Sequence, residues 1–243
     1  MRRKAFSWQL PREIDVRLGE STWGRQRAIY EADHLLIVLH SPPELETHER
    51  APEVFLRNPD GSFSHNGMPG GEIKLKKLLG RYRELLDQYD DDHDAAASTA
   101  DLFRILEHAG PLNRATSHLA DALQAAREYV KSDAFLIAMR DEAYEVSRGF
   151  ELLLQDVKLE VDYRMARSAE EHAVNAERMA AAQHKLNVLA AVTFPLMAVA
   201  TLFGMNLIHG LEGTPALFWL VSLAAGGLGG ITVLWVTNRP PAS

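Results

Sequence analysis

The chain has 243 residues, 47% of them hydrophobic, with a formal charge of -7 and no cysteine. That length allows one or two domains; the acidic balance argues against a general affinity for nucleic acid, and the lack of cysteine excludes a disulfide framework and thiolate metal ligands. The average hides a division: residues 1–185 hold nearly all the charge, whereas residues 186–236 contain Glu212 as the only Asp, Glu, Lys or Arg.

The start, MRRKAFSWQLPREIDV, is basic but lacks an apolar core long enough for a secretory signal, so the N-terminus is expected to stay on the side where it is made. Three β-like runs follow: REIDVRL (12–18), HLLIVLH (34–40) and VFLRNPDGSFSH (54–65), the last with Asn58-Pro59-Asp60-Gly61 as a hairpin signal. Helical spacing covers Ile73–Tyr89, and a second helix starts in Leu102–Glu107 with a break expected at Gly110-Pro111. From Leu112 to Phe194 the only breaker is Gly149, and the mix of Ala, Leu, Glu, Arg and Met favours helix. Phe150–Phe194 is expected to form one continuous helix of roughly 68 Å that runs into a membrane. Phe150, Leu153, Leu154, Val157, Val161 and Met165 mark an apolar stripe along it. Beyond that, Ala166, Ala169, Ala173, Ala176 and Ala180 give either a thin face for bundling or a solvated helix.

Leu186–Phe203 and Ala216–Val236 are uncharged runs of about 18 and about 21 residues, each long enough to span a bilayer. Arg178 and Lys185 precede the first run and Arg239 follows the second, while the loop 207–215 has no basic residue. The positive-inside rule then places both termini in the cytoplasm. Phe218, Trp219 and Trp235 sit where interfacial aromatics belong, and Ser222, Gly226 and Gly230 recur every fourth residue as a small-residue face for close helix packing.

Between the two runs stands Gly204-Met205-Asn206, with Pro195 inside the preceding span. An α/β N-terminal part, a long helix that becomes the first span, this GMN tripeptide at its outer end and a second span near the C-terminus resemble the CorA family of divalent-cation transporters, best over residues 150–238. The resemblance implies an α+β cytoplasmic domain (1–111), a long α-helical stalk (112–185), a pore-lining first transmembrane helix (186–206), an outward loop (207–215), a second transmembrane helix (216–237) and a cytoplasmic tail (238–243). It also implies a homopentamer in the inner membrane that contacts lipid, binds no resident cofactor and carries Mg²⁺, with Zn²⁺, Co²⁺ or Ni²⁺ as alternatives. The N-terminal part is shorter than in typical members, Arg239 stands where many have a basic cluster, and the loop LIHGLEGTP differs from that of the better-known magnesium members.

Mg²⁺ dehydrates reluctantly, so a site that admits it should offer neutral or acidic oxygen to the hydration shell. A ring of Asn206 amides does that, with Gly204 permitting the helix exit and Met205 packing outward; Asn206 as a plain helix C-cap is the competing reading. Glu212 can attract cations to the mouth or be an ordinary loop residue, and a lone His209 is a weak ligand candidate. Inward from Asn206, Thr201, Met197, Phe194, Ala190, Asn187 and Gln183 share one helix face, with Phe194 and Met197 suited to a hydrophobic constriction or to helix packing. The acidic residues Asp90, Asp91, Asp92 and Asp94, or Glu160 and Asp162, are candidate sensors of intracellular cation on that resemblance, although a solvated charge run is the favoured account of the acidic cluster. No catalytic triad, phosphate loop or metalloprotease motif occurs, so the chain reads as a non-enzyme. A Zn²⁺ transporter, or a membrane effector whose cytoplasmic part senses another ligand, are the alternatives to a Mg²⁺ channel.

Overall fold

HLLIVLH forms an interior strand, the second of five, in an antiparallel meander. In the computed structural model, which describes residues 10–19, 22–43, 50–204 and 214–237, the sheet contains β1 (Arg27–Glu31), β2 (His34–His40), β3 (Pro52–Arg57), β4 (Phe63–His65) and β5 (Met68–Pro69) in that order. Ile37 pairs with Phe55, and Leu36 with Leu56, so the two faces of β2 carry different partners. Leu35, Ile37, Leu39, Phe55 and Phe63 pack on the helices, while Ile29, Leu36, Val38, Val54 and Leu56 meet Ile14, Leu18 and Trp23. Covering both faces explains why β2 reads as an unbroken apolar run instead of alternating.

The run 12–18 is not a strand. Arg12–Asp15 is one helical turn, α1, in which the Pro11 carbonyl accepts from the Ile14 and Asp15 amides at 3.1 and 2.9 Å. Ile14 and Leu18, four residues apart, both reach the same sheet face. The 54–65 hairpin is present, with Asn58 donating to Ser62 and Asp60 accepting from the Ser62 amide in the turn. β1 carried no strong signal because its connection to β2 is Ala32-Asp33, both at positive φ (48° and 59°) without a glycine or asparagine to mark them.

Helix α2 (Gly71–Asp94) buries Leu75, Leu78, Leu79, Tyr82, Leu86 and Tyr89 along one face. Helix α3 (Thr99–Tyr129) begins with a capping box, Ser98 Oγ accepting from the Asp101 amide and the Asp101 carboxylate from the Ser98 amide. It does not break at Gly110-Pro111. Pro111 removes one ladder hydrogen bond, but Leu102, Ile105, Ala109, Leu112 and Ala115 on both sides of it are buried, and this packing holds the helix together. The interruption comes later, between Val130 and Asp133. There Asp133 Oδ1 accepts from the Phe135 and Leu136 amides at 3.0 and 3.1 Å, opening α4 (Ala134–Gly204), and Oδ2 takes the Arg57 Nε at 2.6 Å. One carboxylate thus caps the long helix and ties it to β3.

The chain is mostly helical, with this small sheet and one long helix, and its contacts divide it into two compact units, Met1–Met165 and Ala166–Ser243. In the first unit Phe150, Leu153, Leu154, Val157 and Val161 are buried as the stripe predicts, but Met165 is 57% exposed because the core ends one turn earlier. Gly149, inside α4, lies against α2: a Cβ there would come within 2.3 Å of Leu86 Cδ2. The second unit holds the rest of α4 and helix α5 (Pro215–Thr237).

Candidate pore helix and its anchors

Gln183, Asn187, Ala190, Phe194, Met197 and Thr201 advance by alternating steps of four and three, which keeps them on one side of α4. Phe194 and Met197 are 67% and 62% exposed, Gln183, Asn187 and Thr201 are also exposed, and Ala190 is half-buried. The apolar side chains around the rest of this stretch, Leu186, Leu189, Val192 and Leu196 among them, are exposed too. By length and composition α4 can cross a membrane, and none of its apolar window is buried inside the protomer. In water so much exposed apolar surface is unstable, so lipid or further protein must cover it. In α5 the apolar stretch Trp219–Ile231 is shorter.

Helix α5 approaches α4 to one side of this face. The small residues at the contact are Ala225, which is buried, and Gly229, where a Cβ would stand 3.5 Å from the Ala191 carbonyl oxygen and from Val192 Cα. A Cβ at Gly226 or Gly230 would meet nothing within 4 Å among the described residues. The close-packing stripe is therefore displaced by one residue, about 100° around the helix, from the Ser222, Gly226, Gly230 face expected from spacing. The displacement has a local reason. Pro195 has no amide hydrogen, so the Ala191 carbonyl four residues earlier lacks its ladder donor, and Gly229 lets α5 come close enough to shield that oxygen.

Thr201 Oγ1 donates to the Met197 carbonyl at 2.7 Å, and Thr193 Oγ1 to that of Leu189 at 3.0 Å. With its proton spent on the backbone, the Thr201 oxygen presents only acceptor lone pairs outward, the polarity a hydrated cation requires. Met205, Asn206, His209 and Glu212 lie outside the described residues; α4 is described as far as Gly204.

In the first unit the candidate sensor residues separate. Glu160 Oε1 accepts from Arg164 at 2.5 Å and Oε2 contacts His93 Nε2 at 2.8 Å, while Arg164 also donates to the Ala96 carbonyl at 2.8 Å. Glu160 is thus engaged in a latch between the end of α2 and α4, and the Arg164 and His93 hydrogen bonds hold its carboxyl below its ordinary value. Asp162 is exposed on another side of α4. Asp90, Asp91, Asp92 and Asp94 are exposed on the last turns of α2, with Asp90 raised by desolvation and by the neighbouring carboxylates. Among the described residues no three His, Asp or Glu side chains converge as a metal site. The Arg57–Asp133 and Arg164–Ala96 ties had no signal in the sequence, because each joins residues far apart along the chain.

No protein-family model matches the chain, and no curated protein matches it by sequence. By structure it is similar to the full-length CmaX protein at 19% identity and a TM-score of 0.54, covering 97% of this chain and 83% of that one. The chain has the fold of CmaX. Two other solved structures are similar at lower scores: the CorA magnesium transporter from Methanocaldococcus jannaschii (14% identity, 93% and 83% covered, TM-score 0.40) and the ZntB cytoplasmic domain from Vibrio parahaemolyticus RIMD 2210633 (13%, 67% and 80%, 0.41). The similarity to CmaX covers residues of both units.

Proposed function

We propose that the chain is a membrane channel for divalent cations, most favourably Mg²⁺, built as a homopentamer with both termini in the cytoplasm and two transmembrane helices per subunit. The observation that carries this reading is the face of α4 from Gln183 to Thr201, exposed in the protomer and leading to Gly204-Met205-Asn206. Five copies of that face, brought together, enclose a path with Gln183 and Asn187 at the inner end, the apolar Phe194 and Met197 in the middle and Thr201 beyond them. A dry constriction at Phe194 and Met197 closes by excluding water, and hydration shells interact with oxygen on either side of it. An Asn206 ring at the outer end then grips a hydrated cation without stripping it. Glu212, the single acid of the loop, raises cation concentration at the mouth. Movement down the electrochemical gradient needs no catalytic group.

Flux of Mg²⁺, Zn²⁺ and Co²⁺ into proteoliposomes, with and without a proton gradient, tests the reading directly. Mg²⁺ entry independent of the proton gradient is expected; Zn²⁺ entry alone reassigns the cargo, and no flux of any cation overturns the channel. Asn206→Leu should abolish flux while the oligomer persists, whereas a mere capping role for Asn206 predicts loss of assembly first.

A further inference from the structure

Ala166, Ala169, Ala173, Ala176 and Ala180 advance along α4 by alternating steps of three and four, and the next such step is Gln183, where the pore face begins. Backwards, the same steps pass through Asp162 to Leu159 and through Gln155 to Leu152. The repeat therefore runs unbroken from Leu152 to Thr201, seven repeats of seven residues. Leu152 and Leu159 are 42% and 67% exposed, and the five alanines are exposed as well. The core-facing side chains Leu153, Leu154, Val157 and Val161 belong to the opposite side of the helix.

Two features separate this line from one face of a solvated helix. Between Leu152 and Lys185 eleven residues are Asp, Glu, Lys or Arg, and only Asp162 falls on the repeat. A helix meant for water all round would carry charge here too. The second feature is the period. A strict seven-residue repeat drifts around a straight α-helix by about 20° per repeat, hence about 140° over this length. Only a left-handed supercoil keeps such a line turned toward one partner. Its flanks indicate which partner. In a parallel, in-register coil the residue before the first seam position of each repeat meets, on the next helix, the residue five further on. That rule sets His172 against Glu177 of the neighbouring copy, a donor against an acceptor, and brings no like charges together at Lys158–Tyr163, Met165–Glu170 or Met179–His184.

We propose that α4 from Leu152 to Thr201 is one helix of a parallel, in-register coiled coil made with other copies of this chain, closed along residues 166–180 by alanine. The proposal rests on the homopentamer inferred above and extends its interface from the pore face into the long helix. Alanine at successive seam positions lets neighbouring axes approach to about 8 Å, the close end of helix packing.

The chain has no cysteine, so single-cysteine variants report one position each. In proteoliposomes at low protein density, Ala169→Cys, Ala173→Cys and Ala176→Cys should be joined into covalent dimers by a thiol cross-linker spanning about 8 Å. Ser168→Cys and Arg178→Cys, exposed on the opposite side, should remain single chains. Ala173→Glu gathers like charge along the seam and should lower the thermal stability of the oligomer, whereas Asn175→Glu should not. Cross-linking at Ser168 as fast as at the seam, an intact oligomer with no seam cross-link, or equal loss from the two Glu variants overturns the coil and returns the alanines to a solvated helix. Cation flux without seam cross-links removes the coil and leaves the channel; seam cross-links without flux do the reverse. A chain that is monomeric in the bilayer overturns both.

Discussion

At the scale of single residues, backbone conformation and local charge make separate predictions. Ala32 holds a φ of 48° in the β1–β2 turn, a left-handed conformation that an L side chain adopts at a cost of roughly 1–2 kcal/mol. Ala32→Gly removes that strain and loses part of the gain to unfolded-chain entropy, so chemical denaturation should show a net gain of about 0.5–1 kcal/mol. Glu160 behaves as a lowered carboxyl: its stabilisation is fully present above its ordinary 4.5 and is lost as pH falls through the lower folded value. Glu160→Gln should therefore lower the melting temperature at pH 7 and flatten the acid side of the melting profile. Asp90 has the opposite sign. Its raised value means that ionisation disfavours the fold as pH climbs past 3.8, so Asp90→Asn should raise the melting temperature at neutral pH and leave it unchanged in strong acid. The Glu160 latch, which reaches α2 at His93, and the Asp90 cluster both involve the last turns of α2 but respond to acid in opposite directions.

At the scale of elements, two glycines set how closely helices meet. Gly149→Ala would ordinarily gain about 1 kcal/mol of helix propensity, but the new Cβ falls 2.3 Å from Leu86 Cδ2, and overpacking of this kind costs about 1–3 kcal/mol. The clash wins, and the net loss in a melting experiment should be recovered in part when Leu86 is shortened to Val in the same chain. In the second unit the comparison is between neighbours on α5. Gly229→Leu presses into Ala191 and Val192 and should lower thermal stability by on the order of 1–3 kcal/mol, whereas Gly230→Leu enters open space within the protomer. Equal effects would mean that α5 does not meet α4 through Gly229. This asymmetry follows from Pro195, whose missing amide hydrogen leaves the Ala191 oxygen in need of cover.

At the scale of the whole molecule, exposed apolar surface is the controlling fact. Phe194, Met197, Leu186, Leu189, Trp219, Leu220 and Leu223 are all exposed, and a protein with this surface is not stable alone in water. The detergent-corrected mass is expected to be that of five chains; a monomer or dimer would count against the proposed pore. In proteoliposomes, replacing both Phe194 and Met197 by Ser should wet the constriction and raise leakage when internal Mg²⁺ is high. Unchanged leakage would assign both residues to packing between helices.

The interior strand at 34–40, the 54–65 hairpin, the core stripe up to Val161 and the long apolar helix were legible in the sequence, because each is encoded in the spacing of nearby residues. Burial period and turn composition are local quantities, and they survive without knowledge of what packs where. The helical turn at Arg12–Asp15, the continuity of α3 through Pro111 and the cap at Asp133 were not legible, since each depends on contacts with distant segments: the sheet face under Ile14, the core beside Ala109 and Leu112, and Arg57 on β3. The same reason separates Glu160 from Asp162, which look equivalent as acids on one stretch of helix until Arg164 and His93 engage the first and leave the second exposed.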